Sequence, residues 1–299
     1  MINRQSVKGD LLMNKKLMMG VQMFTVKEQA KELGIDGVFK KINELGYPSV
    51  EVSQLPMDPD SVKMMQEASQ KYGIKVASLS AALETDKTKA LNRSDNLEDD
   101  YDKIVSDCKK LNCDLLRIGM LPIQYMASKE SAMSFVDKAE KMANKLAKDG
   151  IDLYYHNHHV EFAKYGDKTL LEIIRDNTES LGFEIDIHWV QRGGMNPVEV
   201  LKSFAGRIRL LHLKDFKVIP FVAPEDPKNF MQEFSNIVRF APVGDGNLDI
   251  KSCIEAAKEG GCEYFLVEQD DCYGEDPFDC LARSKKYLEK IGYSEWFRK

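Results

Sequence analysis

The sequence predicts an α/β protein, a (β/α)8 barrel in a single domain. Short apolar runs of strand length alternate with amphipathic, helix-length segments along the whole of its 299 residues. Eight such pairs follow one another without a Pro- or Ser-rich linker, and about 250 residues in eight units is the usual size of this barrel. No Gly-x-Gly-x-x-Gly follows the first strand, which argues against a doubly wound open sheet.

Taken in order, residues 17–24 read as the first strand, and the helix after it, running through residues 38–42, stops at Gly46. Residues 49–52 are the second strand, followed by a helix over 61–72 that ends at Gly73, where a left-handed terminus is easiest. Strand 74–79 precedes helix 97–111, and strand 114–118 precedes helix 131–148, closed by Gly150. The second half repeats the rhythm with strand 151–156 and helix 169–175, then strand 181–187 and helix 197–204 with Pro197 in its first turn. Strand 208–213, helix 250–258, strand 264–267 and helix 278–290 complete the set. Two segments stand outside it. Residues 1–14 read as a disordered leader before a barrel over 15–299, and 216–246, with four prolines, read as a long loop after the seventh strand. A loop there lies on the catalytic face of a barrel and can act as a lid.

Composition narrows the functions. The net charge of -6 and the dispersed basic residues leave no footprint for nucleic acid. No run approaches the roughly 18 to 20 apolar residues of a membrane span. Six cysteines form no Cys-x-x-Cys pair and read as reduced thiols, so a cytoplasmic setting is expected. Small neutral or metal-bound substrates fit this charge balance better than nucleic acid does.

The chemistry is carried by strand ends. Residues 154–162 read Tyr-Tyr-His-Asn-His-His-Val-Glu-Phe, with three of the five histidines of the chain. His188 follows the apolar run ending in Asp186, His212 lies inside another, and a further run ends on Glu268. Imidazoles and carboxylates at the C-terminal ends of successive barrel strands point into one site and are the ligands of divalent metals. His156, Asp186, His212 and Glu268 form the candidate metal set. Around it, Glu51, His158, His188, Trp189 and Lys214 are candidate substrate-binding residues. Trp189 offers a ring for the apolar face of a substrate, and Glu51 stands ready to bind substrate or orient a ligand. Gln22 and the Arg192-Gly193-Gly194 turn are weaker candidates.

These residues resemble a known family, the sugar-phosphate isomerase/epimerase superfamily of xylose-isomerase-like TIM barrels. The landmarks are Gly20-Val21-Gln22-Met23-Phe24-Thr25-Val26, Gly46-Tyr47-Pro48-Ser49-Val50-Glu51, the His156-to-Phe162 segment, Asp186-Ile187-His188-Trp189, His212-Leu213-Lys214-Asp215, Val243-Gly244-Asp245-Gly246 and Val267-Glu268. The resemblance implies one divalent ion (Mn, Zn, Co or Mg) held by Glu, Asp, His and Glu from the fifth to eighth strands. Asp186, His212 and Glu268 match three of those places, and His156 takes the place of the first glutamate. In epimerases of the family two glutamates flank the substrate and exchange its proton. Here Glu268 keeps that role, and Glu161 is a candidate substitute, with His156 a third catalytic candidate.

The expected reaction is proton abstraction alpha to a carbonyl of a sugar through an enediolate, as an isomerase or epimerase. The alternative is a lyase, hydrolase or dehydratase that expels a beta substituent from a 3-keto sugar or glycoside. A DNA-repair endonuclease on the same barrel would need a basic groove, and a non-catalytic sugar-binding barrel would not need the retained ligands. A homodimer is expected by analogy alone.

Overall fold

A computed structural model describes residues 16–85 and 95–298 of the protein. The expected leader, 1–14, lies outside the described residues. Eight parallel strands close on themselves: β1 (Met18–Gln22), β2 (Ser49–Val52), β3 (Lys75–Ser80), β4 (Leu115–Ile118), β5 (Asp152–His156), β6 (Gly182–Asp186), β7 (Ile208–Leu213) and β8 (Tyr264–Val267). Each pairs with its neighbour in sequence, and β8 returns to β1 through the register Met18↔Tyr264 to Val21↔Val267. The helices around them are α1 (Lys27–Glu44), α2 (Pro59–Tyr72), α3 (Tyr101–Lys110), α4 (Lys129–Leu146), α5 (Leu170–Asp176), α6 (Ile187–Arg192), α7 (Pro197–Ser203), α8 (Phe230–Ser235), α9 (Ile250–Glu259) and α10 (Pro277–Leu288). This is the predicted single (β/α)8 barrel.

Local chemistry sets the boundaries. Asp58 caps α2 ahead of Pro59, and Gly73 ends it in the left-handed region at φ 61°. Thr169 and Glu172 form a reciprocal capping box at α5. Helix α3 starts four residues later than expected, because the Asn96 side chain accepts the backbone N–H groups of Glu98 and Asp99 and holds 97–100 in a turn. Strand β6 stops one residue early, at Asp186, whose carboxylate accepts the Trp189 N–H at 3.1 Å and starts the unforeseen α6. At Gly20 a Cβ would lie 2.5 Å from Ser49 Oγ and 2.7 Å from Leu266, so the barrel interior admits only glycine there.

The segment after β7 is built rather than irregular. Strand Asp215–Val218 pairs antiparallel with Val238–Ala241, and α8 lies between them. The base of this ribbon is tied by Asp215, which accepts the backbone N–H groups of Phe216, Gly244, Gly246 and Leu248 at 2.8 to 3.2 Å. A Cβ on Gly246 would fall 2.2 Å from Asp215 Oδ1, and Gly244 sits at φ 92°. The Val243-to-Gly246 landmark is therefore a knot that closes the ribbon.

Candidate active site

The C-terminal strand ends bring His156, Asp186, His212 and Glu268 together, all buried. His212 is their centre. Its Nδ1 lies 2.8 Å from Glu268 Oε2 and 3.8 Å from Asp186 Oδ2. The His156 ring is centred 4.5 Å from that of His212, and ligand atoms of His156, Asp186 and His212 lie within 4.8 Å of one another. Asp186 Oδ2, His212 Nδ1 and Glu268 Oε2 make no well-directed hydrogen bond although each is sealed from solvent. Two imidazoles and two carboxylates gathered in one buried cluster are a donor set that suits zinc, manganese, iron or cobalt. The residues present fit a divalent ion.

Lys214 crosses the mouth of this group. Its Nζ lies 2.8 Å from Glu268 Oε2, 3.1 Å from Asp186 Oδ2 and 3.0 Å from Asp270 Oδ1. Burial disfavours the ammonium, but the three carboxylates outweigh it and hold Lys214 charged. Burial likewise opposes ionisation of Glu268, and Lys214 with His212 reverses that, leaving its carboxyl well below the usual range. Asp270 behaves in the opposite way, pushed up to about 6 by burial and by the charge of Glu268. Gln22 donates to Glu268 Oε1 at 2.8 Å.

A second charged layer lies beneath, unforeseen in the sequence apart from Glu51. Glu51 Oε1 is 3.0 Å from His212 Nε2 and 2.6 Å from Arg117 Nε, and Ser78 Oγ donates to the other oxygen. Arg117 Nε also lies 3.2 Å from Glu184 Oε2, which is 3.3 Å from His156 Nδ1. Burial raises both carboxyls, but for Glu51 the charges of Arg117 and His212 win and lower it to about 2. Glu184, raised further by Glu51, stands at about 8. Both charges were visible inside apolar strands, and Glu184 shares the parity of Asp186, a signal for a common face.

The remaining candidates form the wall. His158 packs its ring 5.0 Å from His156 and 5.3 Å from Trp189. His188 sits among Trp189, Phe216 and Phe240 at 4.8, 5.2 and 4.8 Å, the last two contributed by the ribbon. Burial lowers both His158 and His188 to about 4, so each is a neutral imidazole at pH 7. Glu161 is not brought to this group. Its carboxylate accepts the Tyr155 hydroxyl at 2.5 Å and the His158 N–H at 2.8 Å, because the short turn Val160–Phe162 folds it back onto β5. Glu161, the candidate substitute for a second catalytic glutamate, thus lies on Tyr155 and His158.

An eight-stranded parallel barrel with a carboxylate–imidazole cluster at its C-terminal mouth carries its polar groups where barrel enzymes place their active sites. The sequence model of the xylose isomerase-like TIM barrel family matches residues 39–293, and the chain belongs to that family. Among curated proteins it is similar to an inosose dehydratase of Lacticaseibacillus casei, 26% identical over 159 residues that cover 50% of this chain and 51% of that protein. An inosose dehydratase of Clostridium botulinum (strain Alaska E43 / Type E3) is 28% identical over 176 residues, 56% of this chain and 57% of the relative. The chain thus spans about half the length of the curated relatives it matches. Among solved structures, a sugar phosphate isomerase/epimerase from Parabacteroides distasonis superposes with a TM-score of 0.67 at 20% identity, over 93% of this chain and 99% of that one. That likeness is one of fold. No described helix is long and apolar enough to cross a membrane.

Proposed function

We propose that this chain is a divalent-metal-dependent enzyme that removes the proton alpha to the carbonyl of a polyhydroxylated ketone and then expels a beta hydroxyl, a sugar-type dehydratase. The observation that carries this reading is the pair Glu268 and Asp270. Both follow β8 and share the ammonium of Lys214, yet Glu268 is held ionised while Asp270 is pushed up to about 6. Two carboxyls whose environments separate them in this way suit a base and an acid. Standing on one side of the mouth, they serve a same-face loss of water better than the two-face proton exchange of an epimerase.

His156, Asp186, His212 and Glu268 would hold the metal. When bound, it supplies positive charge that polarises a carbonyl and makes the neighbouring C–H more acidic. Glu268 takes the alpha proton, and Asp270 delivers a proton to the departing hydroxyl. Lys214 fixes both carboxyls and donates to a substrate oxygen, and Trp189 stacks on the apolar face of the ring. The names of the curated relatives support the dehydratase reading.

The sequence favours an isomerase or epimerase, and that reading stands second. His158, a neutral imidazole beside His156 and Trp189, offers an acceptor from a strand end other than that of Glu268. A small carbohydrate rather than nucleic acid is the partner under either reading, and a homodimer remains an expectation. The test is incubation of the manganese-, zinc- and cobalt-loaded enzyme with 2-keto-myo-inositol and other cyclic polyol ketones in deuterated water. A product lighter by one water supports elimination, and deuterium or an epimer without water loss moves the assignment to the second reading. If no alpha proton exchanges with any metal, both readings fall.

A further inference from the structure

The charged layer below the mouth has no part in the proton transfers proposed above. Glu51 and Glu184 are fully buried, Arg117 nearly so, and β2, β3, β4 and β6 each contribute one member of the layer. At this depth a (β/α)8 barrel is ordinarily filled by branched apolar side chains. Exchanging buried ion pairs for well-packed apolar groups is often neutral or stabilising, so stability does not account for them. The backbone is also adapted to them. The β2–β3 register shifts between Val50 and Glu51, and the β6–β7 register shifts between Phe183 and Glu184, directly before each carboxylate. Register irregularities of this kind re-aim side chains beside active sites.

The contact these side chains build is at Nε2 of His212. Glu51 Oε1 lies 3.0 Å from that nitrogen, while Arg117 at 2.6 Å and the Ser78 hydroxyl hold the carboxylate in place. An ionised carboxylate, ion-paired with Arg117 and hydrogen-bonded by Ser78, can only accept from the ring, and Glu184 Oε1 lies 3.2 Å from the same nitrogen, so the Nε2 proton is retained. Nδ1, on the other edge, is the atom that faces Glu268 and Asp186.

We propose that Glu51, braced by Arg117 and Ser78, is a positioning residue that fixes the orientation and tautomer of His212, so that Nδ1 is the nitrogen offered to a divalent ion. The proposal rests on the metal site of the preceding reading but not on which reaction follows. Carboxylates hydrogen-bonded to metal-ligating imidazoles act in this way, and their loss weakens binding roughly 10- to 100-fold.

The experiment is a long-range proton–nitrogen correlation spectrum of zinc-loaded protein carrying 15N-labelled histidine, in which five imidazoles must be assigned. His212 is expected to show a protonated Nε2 and a metal-shifted Nδ1. In Glu51→Gln, competition against a chromophoric chelator should show zinc affinity down roughly 10- to 100-fold, with loss of the single His212 tautomer. A wild-type spectrum with Nε2 on the metal and the proton on Nδ1 overturns the proposal, and so does the absence of zinc binding. Unchanged affinity in a folded Glu51→Gln protein also overturns it. Should that variant fail to fold, the wild-type spectrum decides. The expected tautomer in a protein that exchanges no alpha proton would uphold the positioning role and reject the reaction.

Discussion

Lys214 holds its ammonium 2.8 Å from Glu268 Oε2, a contact that favours the ionised form of the proposed base. Of the influences that lower the Glu268 carboxyl against the cost of its burial, the charge of Lys214 is the largest. In Lys214→Met the carboxyl should rise, so that the base is protonated sooner on acidification. The acid limb of kcat/KM is expected to move to higher pH by roughly one to three units. A pH profile of the metal-loaded variant measures it, and an unmoved limb would assign that limb to another group.

Metal content depends on Asp186 in the same way. Plasma mass spectrometry of protein prepared without chelator should find about one transition metal per chain in the wild type. In Asp186→Ala the metal should be lost, because one of the two carboxylates of the proposed donor set is gone. Absence of metal from both, after reconstitution with manganese, zinc and cobalt, would leave a sugar-binding barrel as the better description.

Glu161 is expected to matter for folding rather than catalysis. Glu161→Gln keeps the shape but loses a charged acceptor to Tyr155 and His158, which should lower stability by about 1–3 kcal/mol. Urea unfolding reads that loss, and metal content should stay at the wild-type level. A folded, stable variant without activity would return Glu161 to the reaction.

His188 gives a pH dependence with a definite sign. Its folded value, lowered to about 4 mainly by burial, lies below the ordinary 6.5, so between these values the unfolded chain binds the extra proton. Its contribution is therefore lost as pH falls from 6.5 towards 4, by up to about 1.4 kcal/mol per pH unit. In the metal-free protein, His188→Phe should gain stability relative to wild type across that window. Parallel stability curves for the two proteins would contradict a buried neutral imidazole.

The strand ends were legible because polar residues closing apolar runs share one side of the barrel, so His156, Asp186 and His212 met as expected. Glu184 and Arg117 were not read, since a charge inside a strand looks like a rim residue until closure shows that its face points inward. Helix α6 was missed because Asp186 serves two purposes, as a mouth residue and as the cap of the next helix. Glu161 is placed away from the strand-end group for a different reason. Nearness in sequence to His156 and His158 says nothing about which way a tight turn aims a carboxylate.

Asp215 joins the two roots of the ribbon through hydrogen bonds to Phe216 on one side and Gly244, Gly246 and Leu248 on the other. Because those roots are fastened to each other, the intervening stretch is an exchangeable cassette. Its length and tip can be rewritten without disturbing the pairing of β7 with β8. Its side chains Phe216 and Phe240 lie against His188, so a graft of this stretch is expected to reshape the wall of the proposed site while leaving the proposed metal ligands where they are.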